Sequence, residues 1–146
     1  MKRTWVWPTV YLLGGAAVAT ARFLDGSPVG AVLTLLLFLL LAAAFSPLAF
    51  PRSVGAAEAR RQSAADGRPV VYWRPGCTYC LRLRLRLAGR SRRVYWVNIW
   101  RDPEAAEAVR AVNDGNETVP TVVVGGVPHT NPAPAWLRRQ LSVTGS

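Results

Sequence analysis

The chain has 146 residues and a formal net charge of +10, from 18 Lys and Arg against 8 Asp and Glu, and 51% of its residues are apolar. That length holds one domain of ordinary size with an appendage. Two cysteines and one histidine are too few for a disulfide-stapled scaffold or for a four-ligand structural zinc site. Apart from Lys2 the positive charge is all arginine. Such a balance suits an anionic surface, a membrane face among them, but arginine-rich composition alone identifies no partner, and no nucleic acid is expected.

The N-terminal third is hydrophobic. Residues 29–50 form a run of twenty-two without a charge, about 33 Å long as a helix and long enough for a bilayer core. Residues 5–21 form a weaker apolar stretch, broken by Pro8 and by Gly14-Gly15, with Trp5, Trp7 and Tyr11 placed to suit an interface. A signal peptide is the competing reading of that stretch, with Ala19-Thr20-Ala21 as its cleavage site. A second apolar run begins only seven residues later, which favours a hairpin of two transmembrane helices over residues 1–50. Lys2 and Arg3 precede the pair, and Arg52, Arg60 and Arg61 follow it. The positive-inside rule then puts both ends on the cytoplasmic side of the cell (inner) membrane. Residues 51–68 are expected as a polar linker, helical over 54–65.

From Pro69 the elements become short. Val70–Trp73 predicts a strand, and Thr78–Ala88 a helix stopped by Gly89. Within that helix Leu81, Leu83, Leu85 and Leu87 alternate with Arg82, Arg84 and Arg86, which is a strand period. The turn before it and the helix propensity of both residue types decide for helix. Arg93–Ile99 is a second strand. Asp102-Pro103-Glu104 then starts a helix with a capping Asp, a Pro in the first turn and early acid, ended by Asn113-Asp114-Gly115-Asn116. Val119–Val124, interrupted by Pro120, and Val127–Thr130 form a hairpin through Gly125-Gly126. A last helix over about Ala133–Leu141 is expected to turn Trp136, Leu137 and Leu141 inward. The order is β-α-β-α-β-β-α, an α/β fold with a mixed four-stranded sheet flanked by helices, over residues 69–146.

Both cysteines stand at the strand-to-helix turn, as Cys77-Thr78-Tyr79-Cys80. Unpaired N–H groups and the helix dipole favour a thiolate there. Two intervening residues place the second sulfur one turn along, within bridging distance. Cys77 is the expected nucleophile and Cys80 the resolving thiol. His129 is expected as a strand-edge residue, since thiol exchange needs no separate base.

With these motifs in order the sequence resembles the glutaredoxin family, and within it the actinobacterial mycoredoxins. Cys77-Thr78-Tyr79-Cys80, Leu81-Arg82-Leu83, Gly115-Asn116-Glu117-Thr118-Val119-Pro120-Thr121 and Thr130-Asn131-Pro132 carry the resemblance. It implies a thioredoxin-like fold and an activity that reduces disulfides or protein–thiol mixed disulfides. No cofactor is implied. A low-molecular-weight thiol, mycothiol or glutathione, would be the co-substrate, and oxidised or thiolated proteins the partners, with membrane lipid around the anchor. Pro120 would be the cis-proline beside the active site, with the Val119 backbone facing the bound thiol. Arg74, Tyr79, Thr130 and Asn131 would complete the thiol site. Two other readings compete: a thioredoxin-like dithiol reductase fed by a flavin enzyme, and a membrane-tethered, redox-inert binding module using the basic face of Arg82–Arg93.

Overall fold

A glycine turn shapes the N-terminal hairpin. In the computed structural model, which describes residues 6–46 and 52–143, Gly26 takes φ +75° between α1 (Val6–Leu24) and α2 (Pro28–Ala44). Pro28 sits in the first turn of α2, where its missing N–H is no loss. Small residues let the two helices approach. Phe38 of α2 lies over Gly15 of α1, where an added Cβ would overlap the Phe38 Cβ and come within 2.8 Å of its Cγ. Ala19, Ala31 and Ala42 are buried along the same contact, while Leu13, Leu33 and Leu40 point outward. The hydroxyls of Thr20 and Thr34 donate back to Ala16 O and Gly30 O, each at 2.8 Å, so neither needs water.

The expectation of two membrane-crossing helices over 5–21 and 29–50 needs correction against this geometry. Among the described residues no helix is long and apolar enough to cross a membrane. α1 is diluted by Pro8, Thr9, Gly14-Gly15 and Arg22. α2 is apolar but only 17 residues long, about 25 Å against a hydrocarbon core of about 30 Å. Residues 47–50, the tail of the expected second span, lie outside the described residues.

Residues 50–146 form a separate compact unit, and its first part is folded onto the rest instead of running free as a polar linker. The Val54 N–H donates to Trp96 O at 3.2 Å, and Ser53 Oγ accepts from the Asn98 N–H at 2.8 Å. α3 (Ala56–Asp66) follows, with Ala56 and Ala59 fully buried. One carboxylate starts two helices. Asp102 Oδ2 accepts from Ala56 N–H at 2.6 Å, and its Oδ1 accepts from Ala105 N–H at 3.2 Å in the first turn of α5 (Pro103–Ala111). Arg60 and Glu104 add an exposed ion pair between the same helices. Asp102→Ala removes both caps, and we expect a loss of about 1–3 kcal/mol in urea unfolding; an unchanged midpoint would refute the shared cap.

The sheet has strand order β2-β1-β3-β4, with β1 Val70–Trp73, β2 Tyr95–Asn98, β3 Thr121–Val124 and β4 Val127–Thr130. β1 runs parallel to β2 and antiparallel to β3, and β3 and β4 form an antiparallel hairpin. The β-α-β-α-β-β-α order and the mixed four-stranded sheet are as expected. Gly125 and Gly126 both take positive φ, +56° and +82°, the geometry a two-residue hairpin turn demands. β3 begins at Thr121, two residues later than the sequence suggests, because Val119 and Pro120 form a loop instead of ladder.

All four residues of β1 are buried, so both faces of the sheet are covered. Val70, Tyr72, Thr121 and Val123 lie towards α3 and α5. The opposite face carries Val71, Trp73 and Val122. There α4 (Thr78–Leu87) packs on α6 (Pro134–Val143), and Cys80, Leu83, Leu87, Leu137 and Leu141 close the core. The leucine–arginine run is helical, as expected, and continues as a 3-10 segment over Ala88–Arg93. Trp136 departs from the expected inward set. It is only half-buried and packs on His129, with ring centroids 4.3 Å apart.

Candidate functional site

β1 delivers the chain into a turn whose geometry presents the first cysteine. Gly76 takes φ +78°, a conformation most side chains avoid, and the Cys77 N–H reaches Arg74 O at 3.4 Å. Cys77 is the N-cap of α4, with its backbone extended and its carbonyl accepting the Leu81 N–H at 3.1 Å. The Cys80 N–H donates to Cys77 Sγ at 3.1 Å. A backbone donor and a helix N-terminus both favour negative charge on that sulfur once it is reduced. The two cysteines are joined as a disulfide, with Cα atoms 5.2 Å apart. Their burial differs sharply. Cys80 is fully buried, whereas Cys77 is partly exposed. Only Cys77 is open to an incoming disulfide; Cys80 is held inside, within reach of it.

The loop before β3 completes the site. The Val119–Pro120 peptide bond is cis, and the Val119 carbonyl oxygen lies 3.4 Å from Cys77 Sγ. Pro120 O accepts from Asn131 N–H at 2.7 Å, which binds the end of β4 to this loop. Asn131 itself has φ +45°, a left-handed conformation that asparagine tolerates better than most residues.

Thr130 is exposed, but its hydroxyl donates to Asn113 Oδ1 at 2.6 Å. The Asn113 amide in turn donates to Val109 O at 2.8 Å and Thr121 Oγ1 at 3.2 Å. Thr121 closes the set by donating to Thr118 O at 2.7 Å. Asn113 therefore fastens the end of α5 to both strands of the hairpin and steadies the Thr118–Pro120 loop. Sequence reasoning took Asn113 only as a helix breaker. A single asparagine in a turn carries no mark of such bonding.

The remaining expected site residues stand further out. Arg74 is half-buried with its guanidinium 5.9 Å from the centre of the Trp100 ring, an aromatic partner the sequence did not flag. Tyr79 projects from the outer side of α4, 57% exposed. Arg84, further along the same helix, is held below the ordinary arginine pKa by burial. The structure thus brings Cys77, Cys80, Val119 and Pro120 together and links Asn131 and, through Asn113, Thr130 to them. Among the described residues no three His, Cys, Asp or Glu side chains gather as a metal site.

A cavity of about 670 Å³ lies away from this chemistry. It opens on the opposite face of the sheet, between α3 and α5, over Val70, Tyr72, Thr121 and Val123. Burial raises the Tyr72 hydroxyl pKa there, against an opposing pull from the Arg60 guanidinium.

A dithiol with one open and one sheltered sulfur, set at a helix start against a cis-proline loop, is built for disulfide exchange, and the chain is a thiol–disulfide oxidoreductase with a thioredoxin-like α/β fold. Residues 70–129 match the glutaredoxin family model. A Mycobacterium tuberculosis protein assigned as a glutaredoxin is 39% identical over 73 residues, covering 49% of this chain and 87% of that protein. Mycoredoxin 1 of Corynebacterium glutamicum is 39% identical over 67 residues, or 45% of this chain and 82% of its own length. The chain belongs to the glutaredoxin family.

Proposed function

We propose that the protein is a membrane-anchored glutaredoxin of the mycoredoxin type, which reduces mixed disulfides between proteins and a low-molecular-weight thiol. The observation that carries this reading is the unequal exposure of Cys77 and Cys80 beside the Val119 carbonyl. The Cys77 thiolate attacks the small-thiol sulfur of the mixed disulfide. The S–S bond to the protein breaks, the protein leaves as its thiolate and takes up a proton, and Cys77 becomes disulfide-bonded to the small thiol. A second small thiolate then attacks that adduct, releasing the symmetrical small disulfide and regenerating Cys77. Alternatively Cys80 attacks Cys77, frees the small thiol and leaves the intramolecular disulfide.

In this reading Arg74 and Tyr79 flank the small thiol on the α4 side. The Val119 backbone and Pro120 lie against its sulfur end, and Thr130 and Asn131 hold a polar end near the start of α6. Similarity to mycoredoxin 1 favours mycothiol over glutathione. We expect mycothiol to reduce the oxidised chain at least about tenfold faster than glutathione does, followed by rapid quench and mass spectrometry. The reverse order would reassign the co-substrate, and reduction only by a flavin-dependent reductase would favour the thioredoxin-type alternative.

The anchor rests on the hairpin, whose outer surface is apolar along both helices. Its flanks are basic, with Lys2 and Arg3 before it and Arg52, Arg60 and Arg61 after it. In this reading the hairpin is attached at a membrane, and its basic flanks keep the catalytic unit on the cytoplasmic side. A reporter fused after Ser146 that reads periplasmic would overturn that topology.

A further inference from the structure

Charge is unevenly divided across the sheet. Within residues 52–143 every Asp and Glu lies in α3, at or in α5, or in the loop between α5 and β3. α4, the 3-10 segment and α6 hold eight arginines and no acid. On the outer face of α4, Tyr79, Arg82, Leu85 and Arg86 are all exposed, and Leu85 is 67% accessible. Arg86 and Arg90 converge with Arg138 of α6 on a hollow of about 370 Å³. Among the described residues no ion pair involves Arg82, Arg86, Arg90 or Arg138.

This stripe begins beside the reactive sulfur. Measured along the helix axis, Arg82 is five residues from Cys77, a rise of about 7.5 Å, and Arg86 nine residues, a rise of about 13 Å. A small thiol reaches only the first part of that distance. An occupant that covers the stripe while its sulfur meets Cys77 is a protein segment. We propose that the outer face of α4, from Tyr79 through Arg82, Leu85 and Arg86 to the Arg90–Arg138 hollow, is the docking surface for protein substrates whose disulfide or mixed disulfide is flanked by acidic residues. Tyr79 and Leu85 give the apolar contact and the arginines the charge contact, arranged as guanidinium forks suited to carboxylates. The inference rests on the oxidoreductase reading and names which substrates that site selects.

The test uses the full purified chain and two disulfide peptides that differ only in carrying Glu or Lys beside the cysteines. At low salt the Glu peptide is expected to show kcat/KM at least about tenfold higher, and the gap should close in concentrated salt. The triple charge reversal R82E/R86E/R90E should invert the preference while reduction of neutral hydroxyethyl disulfide stays unchanged. If that variant fails to fold, R82Q/R86Q should narrow the gap. Equal kcat/KM for the two peptides, or a preference that survives either variant, would overturn the proposal. Displacement of neither peptide but binding of phosphatidylglycerol vesicles through the same arginines would assign the stripe to lipid and also overturn it. Failure of the unmodified chain to reduce hydroxyethyl disulfide would strike at the redox reading instead of the docking surface.

Discussion

Cys77→Ser is expected to lower thiol–disulfide exchange by about three orders of magnitude or more, since a serine hydroxyl supplies no thiolate at neutral pH. Cys80→Ser should keep turnover in the presence of a small thiol and lose only the route through the intramolecular disulfide. The geometry makes the two substitutions unequal. Cys77 stands at the N-cap with the Cys80 N–H directed at its sulfur, and it is open to solvent. Cys80 is enclosed, and an external disulfide reaches it only through Cys77. The measurement is the rate of mixed-disulfide reduction for each variant, alongside a circular dichroism check that α4 is retained. Full activity in Cys77→Ser with loss in Cys80→Ser would reverse the assigned roles.

The second large effect concerns two leucines two residues apart. Leu83 is 1% exposed and Leu85 67% exposed on the same helix. Leu83→Ala should destabilise the catalytic unit by about 2–5 kcal/mol through lost burial and the cavity left behind. Against a typical total of about 5–15 kcal/mol that is a large share. Leu85→Ala should change stability by no more than about 0.5 kcal/mol. Chemical denaturation of the two variants side by side reads this directly. Equal losses would mean that the run is packed as an alternating strand, not a helix.

That pair also shows where the sequence speaks and where it does not. In Leu81–Leu87 the letters alternate with period two, yet the helix buries Cys80, Leu83 and Leu87 and leaves Leu85 outside. Periodicity pointed the wrong way; the Pro75-Gly76 turn and the N-cap position of Cys77 pointed the right way, because they act locally on the backbone. The order of elements along the chain, the Asp102 start of α5 and the Gly125-Gly126 hairpin were legible for the same reason. Each depends on residues a few positions apart. The role of Asn113 was not legible, since it joins Val109, Thr121 and Thr130 through side-chain bonds that only tertiary folding creates. Trp136 was misjudged because its apolar ring finds His129 at the surface instead of the core. The hydrophobic N-terminal third was legible as paired helices, whereas the length of the second was overdrawn. Helix α2 stops at Ala44, and an uncharged sequence does not reveal where a helix ends.

The attachment of Ser53 and Val54 to β2 bears on how the catalytic unit can be cut from its parent. The family match begins at residue 70, and a fragment started there looks complete by sequence. It would lack the strand-edge seal, leaving Trp96 O and the Asn98 N–H without the partners they hold now. It would also lack α3, and with it the buried Ala56 and Ala59 and one of the two helices that Asp102 starts. β2 is an outer strand, and a bare outer strand invites another chain to add to it. The opposite margin is better guarded, because Pro128 of β4 has no N–H to offer. A shortened protein that is to keep this edge covered therefore has to begin ahead of Ser53.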